Sequence, residues 1–122
     1  MYSPLVLDHF SHPRGCGSIS DADAVARVEN PVCGDTLELS LRVTGQIIAE
    51  ARFLAKGCVP AIACGSRLME MIQGLSLEEA RNIDREAVMQ SLGGLPTESH
   101  HAAQLCIDAL RAALKNYLVG KC

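Results

Sequence analysis

From Thr36 to Val43 the chain alternates with a period of two: Leu37, Leu39, Leu41 and Val43 are apolar, whereas Thr36, Glu38, Ser40 and Arg42 are polar. That pattern marks a strand with one face on a core and the other in water. Thr44-Gly45-Gln46 is a turn signal, after which Ala49, Ala51, Phe53 and Ala55 alternate with Glu50, Arg52, Leu54 and Lys56. Two such runs across a short turn predict an antiparallel hairpin. A hairpin with one apolar face cannot stand alone, so the rest of the chain must cover it.

The flanking segments supply that cover. Ser3-Pro4 reads as an N-cap and first turn, with apolar residues at 2, 5, 6 and 10 in helical spacing until Pro13-Arg14-Gly15. Val25 to Glu29 predicts a strand that stops at Asn30-Pro31. Beyond Gly57 the period changes: Pro60 suits a first helical turn, Ala61, Cys64, Gly65, Leu68 and Ile72 share a stripe, and Gly74 fits the stop. Ser76-Leu77-Glu78-Glu79 is a capping box, and Asp84 can cap another short helix that ends at Gly93-Gly94. A last helix runs from near Ser99 to Leu118, with Ala102, Cys106, Ala109, Leu110, Ala113 and Tyr117 on one face. Most helices follow the strands. The expected class is therefore α+β, a small antiparallel sheet of about three strands with helices on one face, in a single domain over residues 1–122.

Composition narrows the function. Hydrophobic residues are 48% of the 122, but aromatics are only 3% and there is no Trp, which argues against base-stacking platforms. Eleven basic against 14 acidic side chains give a net charge of −3, no field to gather nucleic acid or anionic lipid. Met1 to Asp8 lacks the basic lead of a secretory signal, and no run approaches the ~20 apolar residues of a membrane span. A cytoplasmic protein is expected. Its six cysteines, Cys16, Cys33, Cys58, Cys64, Cys106 and Cys122, fall below the density of roughly 8% that marks a disulfide scaffold. In a reducing compartment they point to metal or redox chemistry.

Two of them should meet. Cys33 lies between Pro31 and Gly34 at the mouth of the long strand, and Cys58 follows Gly57 at the exit of its partner. The start of one antiparallel strand lies beside the end of the next. Cys58 also precedes a helix N-terminus, whose dipole favours a thiolate, and Asp35 adds a carboxylate to the same corner.

Asn30-Pro31-Val32-Cys33-Gly34-Asp35, Ala51-Arg52-Phe53 leading to Gly57-Cys58, Ala61-Ile62-Ala63 and Ser76-Leu77-Glu78-Glu79-Ala80 resemble the U-type iron-sulfur cluster scaffold family, which comprises IscU, SufU and the N-terminal domain of NifU. The resemblance continues in Asp8-His9-Phe10 with Pro13-Arg14, and in Asp108-Ala109-Leu110 through Tyr117. It implies an IscU-like fold and a non-enzymatic scaffold. Such a scaffold receives sulfur from a cysteine desulfurase, assembles a transient 2Fe-2S cluster and hands it to acceptor apo-proteins. Cys33, Asp35 and Cys58 match the family's first two cysteines and its aspartate. The family's His-Cys pair falls on His101-Ala102, so the histidine matches and the third cysteine does not. Cys106, one turn later and ~6 Å along the axis, is a candidate to complete the shell, as is His101, and it equally suits the core stripe. Cys64 can be a fallback ligand or a core thiol. His100 is a weaker candidate than His101, His9 and His12 read as solvated or capping groups, Cys16 as a surface thiol and Cys122 as idle.

Two other functions fit the same residues. One is a zinc-binding, SufU-like acceptor of persulfide sulfur, since tetrahedral N/S sites suit Zn2+; the short Gly74–Pro96 region favours the IscU side. The other, supported by Ala102, is a degenerate relative that acts as a binding partner of the assembly machinery. A homodimer is compatible with the sequence.

Overall fold

The computed structural model describes residues 2–120, and the side chains of residues 2–118. In chain order it contains α1 (Pro4–Ser11), β1 (Ala24–Glu29), β2 (Thr36–Thr44), β3 (Ile47–Lys56), α2 (Val59–Ile72), α3 (Leu77–Arg81), α4 (Arg85–Ser91) and α5 (His100–Gly120), the last entered through a 3-10 turn at Thr97–Ser99. The strands form one antiparallel sheet in the order β1-β2-β3. This is the α+β arrangement that the alternation predicts.

The sheet's inner face carries Ala24, Ala26, Leu37, Leu39, Leu41, Ala51 and Phe53, all buried beneath α2 and α5. Each large aliphatic side chain removed from water there contributes about 1.5–3 kcal/mol. Helix α2 sits close because Gly65 faces Phe53: a Cβ at that position would lie 2.7 Å from the phenyl ring. Residues 61, 64, 65, 68 and 72 are all buried, as their spacing requires, and Ala102, Cys106, Ala109, Leu110, Ala113 and Tyr117 of α5 are too.

The expected inward row of β3 is interrupted at its start. A register shift between Arg42 and Val43 pairs Arg42 with Glu50 but Val43 with Ile48, so Ile48 is buried and Ala49 is exposed. An extra residue in one strand reverses which side chains face the core. The two short helices follow their caps: Ser76 and Glu79 complete a reciprocal capping box, and the Asp84 carboxylate accepts from the Ala87 N–H at 2.9 Å.

Helix α1 begins where expected, with the Ser3 hydroxyl accepting from the Val6 N–H and also donating to the Leu92 carbonyl. Its buried face differs from the expected one. Val6 and His9 point inward, while Leu5, Leu7 and Phe10 are exposed. His9, read from the sequence as a solvated or capping group, is buried, with its Nδ1 2.7 Å from the Ser66 hydroxyl and its Nε2 3.4 Å from Glu70 on α2. The polar partners on α2, rather than the apolar count on α1, decide which side turns in.

Candidate metal centre

The register fixes the site. Thr36 pairs with Lys56, so residues 33–35 enter β2 beside the point where 57–58 leave β3. The loop carrying Cys33 is shaped by Asn30. Its side-chain oxygen accepts from the N–H groups of Val32 at 2.9 Å and Cys33 at 3.4 Å, its carbonyl accepts from the Gly34 N–H, and its own N–H donates to the Asp35 carbonyl, the last two at 2.8 Å. Gly34 supplies the left-handed φ of +78° that closes the turn. Cys33 is exposed at its tip, next to Val32.

Asp35 points the other way, into the protein, and is only 8% exposed. The Cys58 thiol donates to its Oδ2 at 3.2 Å. Gly57 makes room for that carboxylate, since a Cβ there would lie 2.5–2.9 Å from its three terminal atoms. On the other side stands His101, the second residue of α5: one donor atom each from Cys33, Asp35 and His101 lie within 4.8 Å of one another. Thus the entry to β2 and the start of α5 bring Cys33, Asp35 and His101 together, and Cys58 at the β3–α2 junction joins them through Asp35, not through Cys33 as the strand ends alone suggest. His100 instead reaches the Leu95 carbonyl at 3.3 Å.

Cys58 is the N-cap of α2 and makes no side-chain cap bond, which leaves its sulfur for the site. The expected thiolate does not follow. Burial pushes the Cys58 thiol above its ordinary value and the Asp35 carboxylate pushes the same way, outweighing the pull of the Ala61 N–H at the helix terminus. A metal must therefore displace a proton from Cys58, as for any thiol ligand.

Cys106 is not brought into this group. It is fully buried on the inner face of α5, and Cys64 is fully buried on α2. Its place one turn beyond the fully buried Ala102 sets it into the core. Cys16 is exposed and its neighbours pair with β3 through Gly17 N–H to Phe53 O and Phe53 N–H to Gly15 O, both 2.8 Å. His12 is exposed near Asp8, and Cys122 lies outside the described residues. Sequence reasoning passed over Asn30 and Gly57 as parts of the site. Their signal was their place in the motifs that carry the resemblance, three residues before Cys33 and one before Cys58.

Comparison with known proteins agrees with this architecture. The family model for the NifU-like N terminal domain matches residues 1–121. The iron-sulfur cluster assembly scaffold protein IscU 1 of Archaeoglobus fulgidus is 46% identical over 117 residues, covering 96% of this chain and 76% of the relative. The scaffold protein IscU of Aquifex aeolicus is 38% identical over 120 residues, covering 97% and 76%. Among solved structures, the N-terminal NifU-like protein of Brucella abortus superposes with a TM-score of 0.76 at 18% identity, covering 96% of this chain and 94% of that one. With a family match along nearly its whole length and relatives well above a third identical, the chain belongs to the NifU-like N-terminal domain family.

Proposed function

We propose that this chain is a scaffold or carrier in iron-sulfur cluster assembly, with a labile 2Fe-2S cluster as its cargo, held by Cys33, Asp35, Cys58 and His101 and passed to acceptor apo-proteins. The observation that carries the reading is the convergence of an exposed thiol, a buried carboxylate and an imidazole within 4.8 Å, with a second thiol bonded to that carboxylate. Thiolates hold iron and sulfide firmly, whereas a carboxylate or imidazole bond exchanges more readily. A mixed shell suits cargo that must leave. The same logic makes Cys33 and Cys58 the acceptors of sulfur from a cysteine desulfurase, with no catalysis required of the chain beyond thiol exchange.

Anaerobic incubation with ferrous iron, L-cysteine and a desulfurase tests it. Visible charge-transfer absorption is expected in the native chain, is lost in Cys33→Ser and in Cys58→Ser, and decays more slowly in Asp35→Ala. Colour that forms equally well in Cys58→Ser overturns the ligand set. The carboxylate and imidazole beside two thiols also make a tetrahedral set suited to Zn2+. Elemental analysis of the protein as purified separates that second reading, in which zinc is the resident metal and Cys58 the persulfide acceptor.

A further inference from the structure

Beside the metal corner lies a cleft of about 430 Å³, within the roughly 300–1,000 Å³ of small-molecule sites. The two share His101, which lines the cleft and has a ring nitrogen within 4.8 Å of donor atoms of Cys33 and Asp35. Asn30-Pro31 lines it too, and from there the chain runs into the Cys33 loop. Leu105, 5% exposed, adds an apolar patch. Around it stand charges of both signs that are not among the donors of the corner. Arg85, at the start of α4, has only a loose ion pair, its Nε 3.9 Å from Glu86, and its terminal nitrogens have no partner among the described residues. The Glu29 carboxylate has none among them either, and Asp108 accepts from Gln104 at 2.8 Å through one oxygen and keeps the other open. The start of α5 offers the corner no thiol, because Ala102 follows His101 and Cys106 is sealed in the core.

Building on the reading that the corner holds a cluster, we propose that this cleft binds a small zwitterionic aminothiol, of which L-cysteine is the simplest amino acid, and that its sulfur replaces His101 on the cluster. The Arg85 guanidinium suits a carboxylate, which an arginine takes through two parallel hydrogen bonds. Glu29 and Asp108 suit the ammonium group, and Leu105 the methylene. One cation against two carboxylates turns away thiols that carry only negative charge. The exchange forms one bond and breaks one: the thiol sulfur bonds to iron, the imidazole leaves, and the thiol proton moves to the ring nitrogen set free. No electron is transferred, and the iron keeps its oxidation state. Thiolate is the softer donor and matches iron and sulfide better than imidazole does. With the aminothiol in place the shell has three sulfurs and the Asp35 carboxylate, and the cargo is retained. When the aminothiol departs, His101 returns and the cargo is again ready to leave. L-cysteine is also the sulfur source of a cysteine desulfurase, so retention follows the supply from which the cluster is built.

Two titrations decide. In the first, the metal-free full-length chain receives L-cysteine or L-serine under anaerobic, reducing conditions, and its backbone amide signals are followed by NMR. L-serine has the same zwitterion and no sulfur. Both should shift the signals of Glu29, Arg85, Gln104 and Asp108 to saturation, and Arg85→Gln should weaken either amino acid by about tenfold. Absence of saturable shifts at those residues overturns the inference, whatever the chain does with iron. In the second, chain loaded from ferric iron and inorganic sulfide, without added thiol, receives L-cysteine, L-serine or 2-mercaptoethanol at the concentration that saturates the first. Only L-cysteine should change the visible circular dichroism, with one molecule kept per cluster in the native mass spectrum. Only L-cysteine should restore loading to His101→Ala. A spectrum that L-cysteine leaves unchanged overturns the inference alone, as does equal restoration by 2-mercaptoethanol, which would need no cleft. If the native chain takes up no cluster, the scaffold reading falls and the inference with it.

Discussion

At the scale of single residues, the site depends on one carboxylate. Asp35 accepts from the Cys58 thiol, has a carboxylate oxygen within 4.8 Å of donor atoms of Cys33 and His101, and occupies the space a side chain at Gly57 would need. Its negative charge adds to burial in holding the proton on Cys58. In Asp35→Asn that charge is gone while the shape remains, so the midpoint of the pH–rate profile for Cys58 alkylation should shift to lower pH, with Cys58 reacting faster at neutral pH. An unchanged midpoint would mean that burial alone sets the thiol's acidity. The corner itself was readable from the sequence, because alternation defined the hairpin and the hairpin fixed which chain ends meet. The state of the Cys58 proton was not. A helix terminus can be seen in a sequence, but the depth at which the thiol sits beside a carboxylate depends on tertiary packing.

At the scale of elements, α1 is held to α2 by a buried polar contact rather than by its leucines. His9 is 5% exposed, bonded to Ser66, whose hydroxyl also accepts from the Arg14 N–H at 2.7 Å. Burial first, and then Arg14 with Arg67, hold the His9 imidazole below its ordinary value of 6.5, against the opposing pull of Glu70 and Asp8. The folded form thus binds the His9 proton less well than the unfolded chain. Stability is full above about pH 6.5 and is lost as pH falls through the lowered folded value. Melting curves at neutral pH and at about pH 5 should therefore separate for the native chain and draw together for His9→Ala, which at neutral pH costs about 1–3 kcal/mol through the loss of one of the two partners of the Ser66 hydroxyl and lost packing. Apolar spacing alone picked out Val6, which is buried, but gave equal weight to Leu5 and Phe10, which are exposed, and none to a histidine with partners elsewhere. The bulge at Arg42/Val43 escaped for a related reason: the run Ile47-Ile48-Ala49 offers apolar side chains to either register, and only pairing with β2 chooses Ile48.

At the scale of the whole molecule, the class of fold followed from two alternating strands and the helices after them. Longer-range matters, such as the burial of Cys106 in the core rather than at the site, needed the packed structure. Among the described residues no helix is long and apolar enough to cross a membrane. The thiols of those residues occupy three levels: Cys16 and Cys33 are exposed, Cys58 is half-buried, and Cys64 and Cys106 are sealed between α2 and α5. That layering works as a depth gauge. A small electrophile added to the folded chain should tag the outer pair first, Cys58 more slowly, and the innermost two only when α2 and α5 part, so the successive adducts seen by mass spectrometry time the opening of the core without any label being introduced.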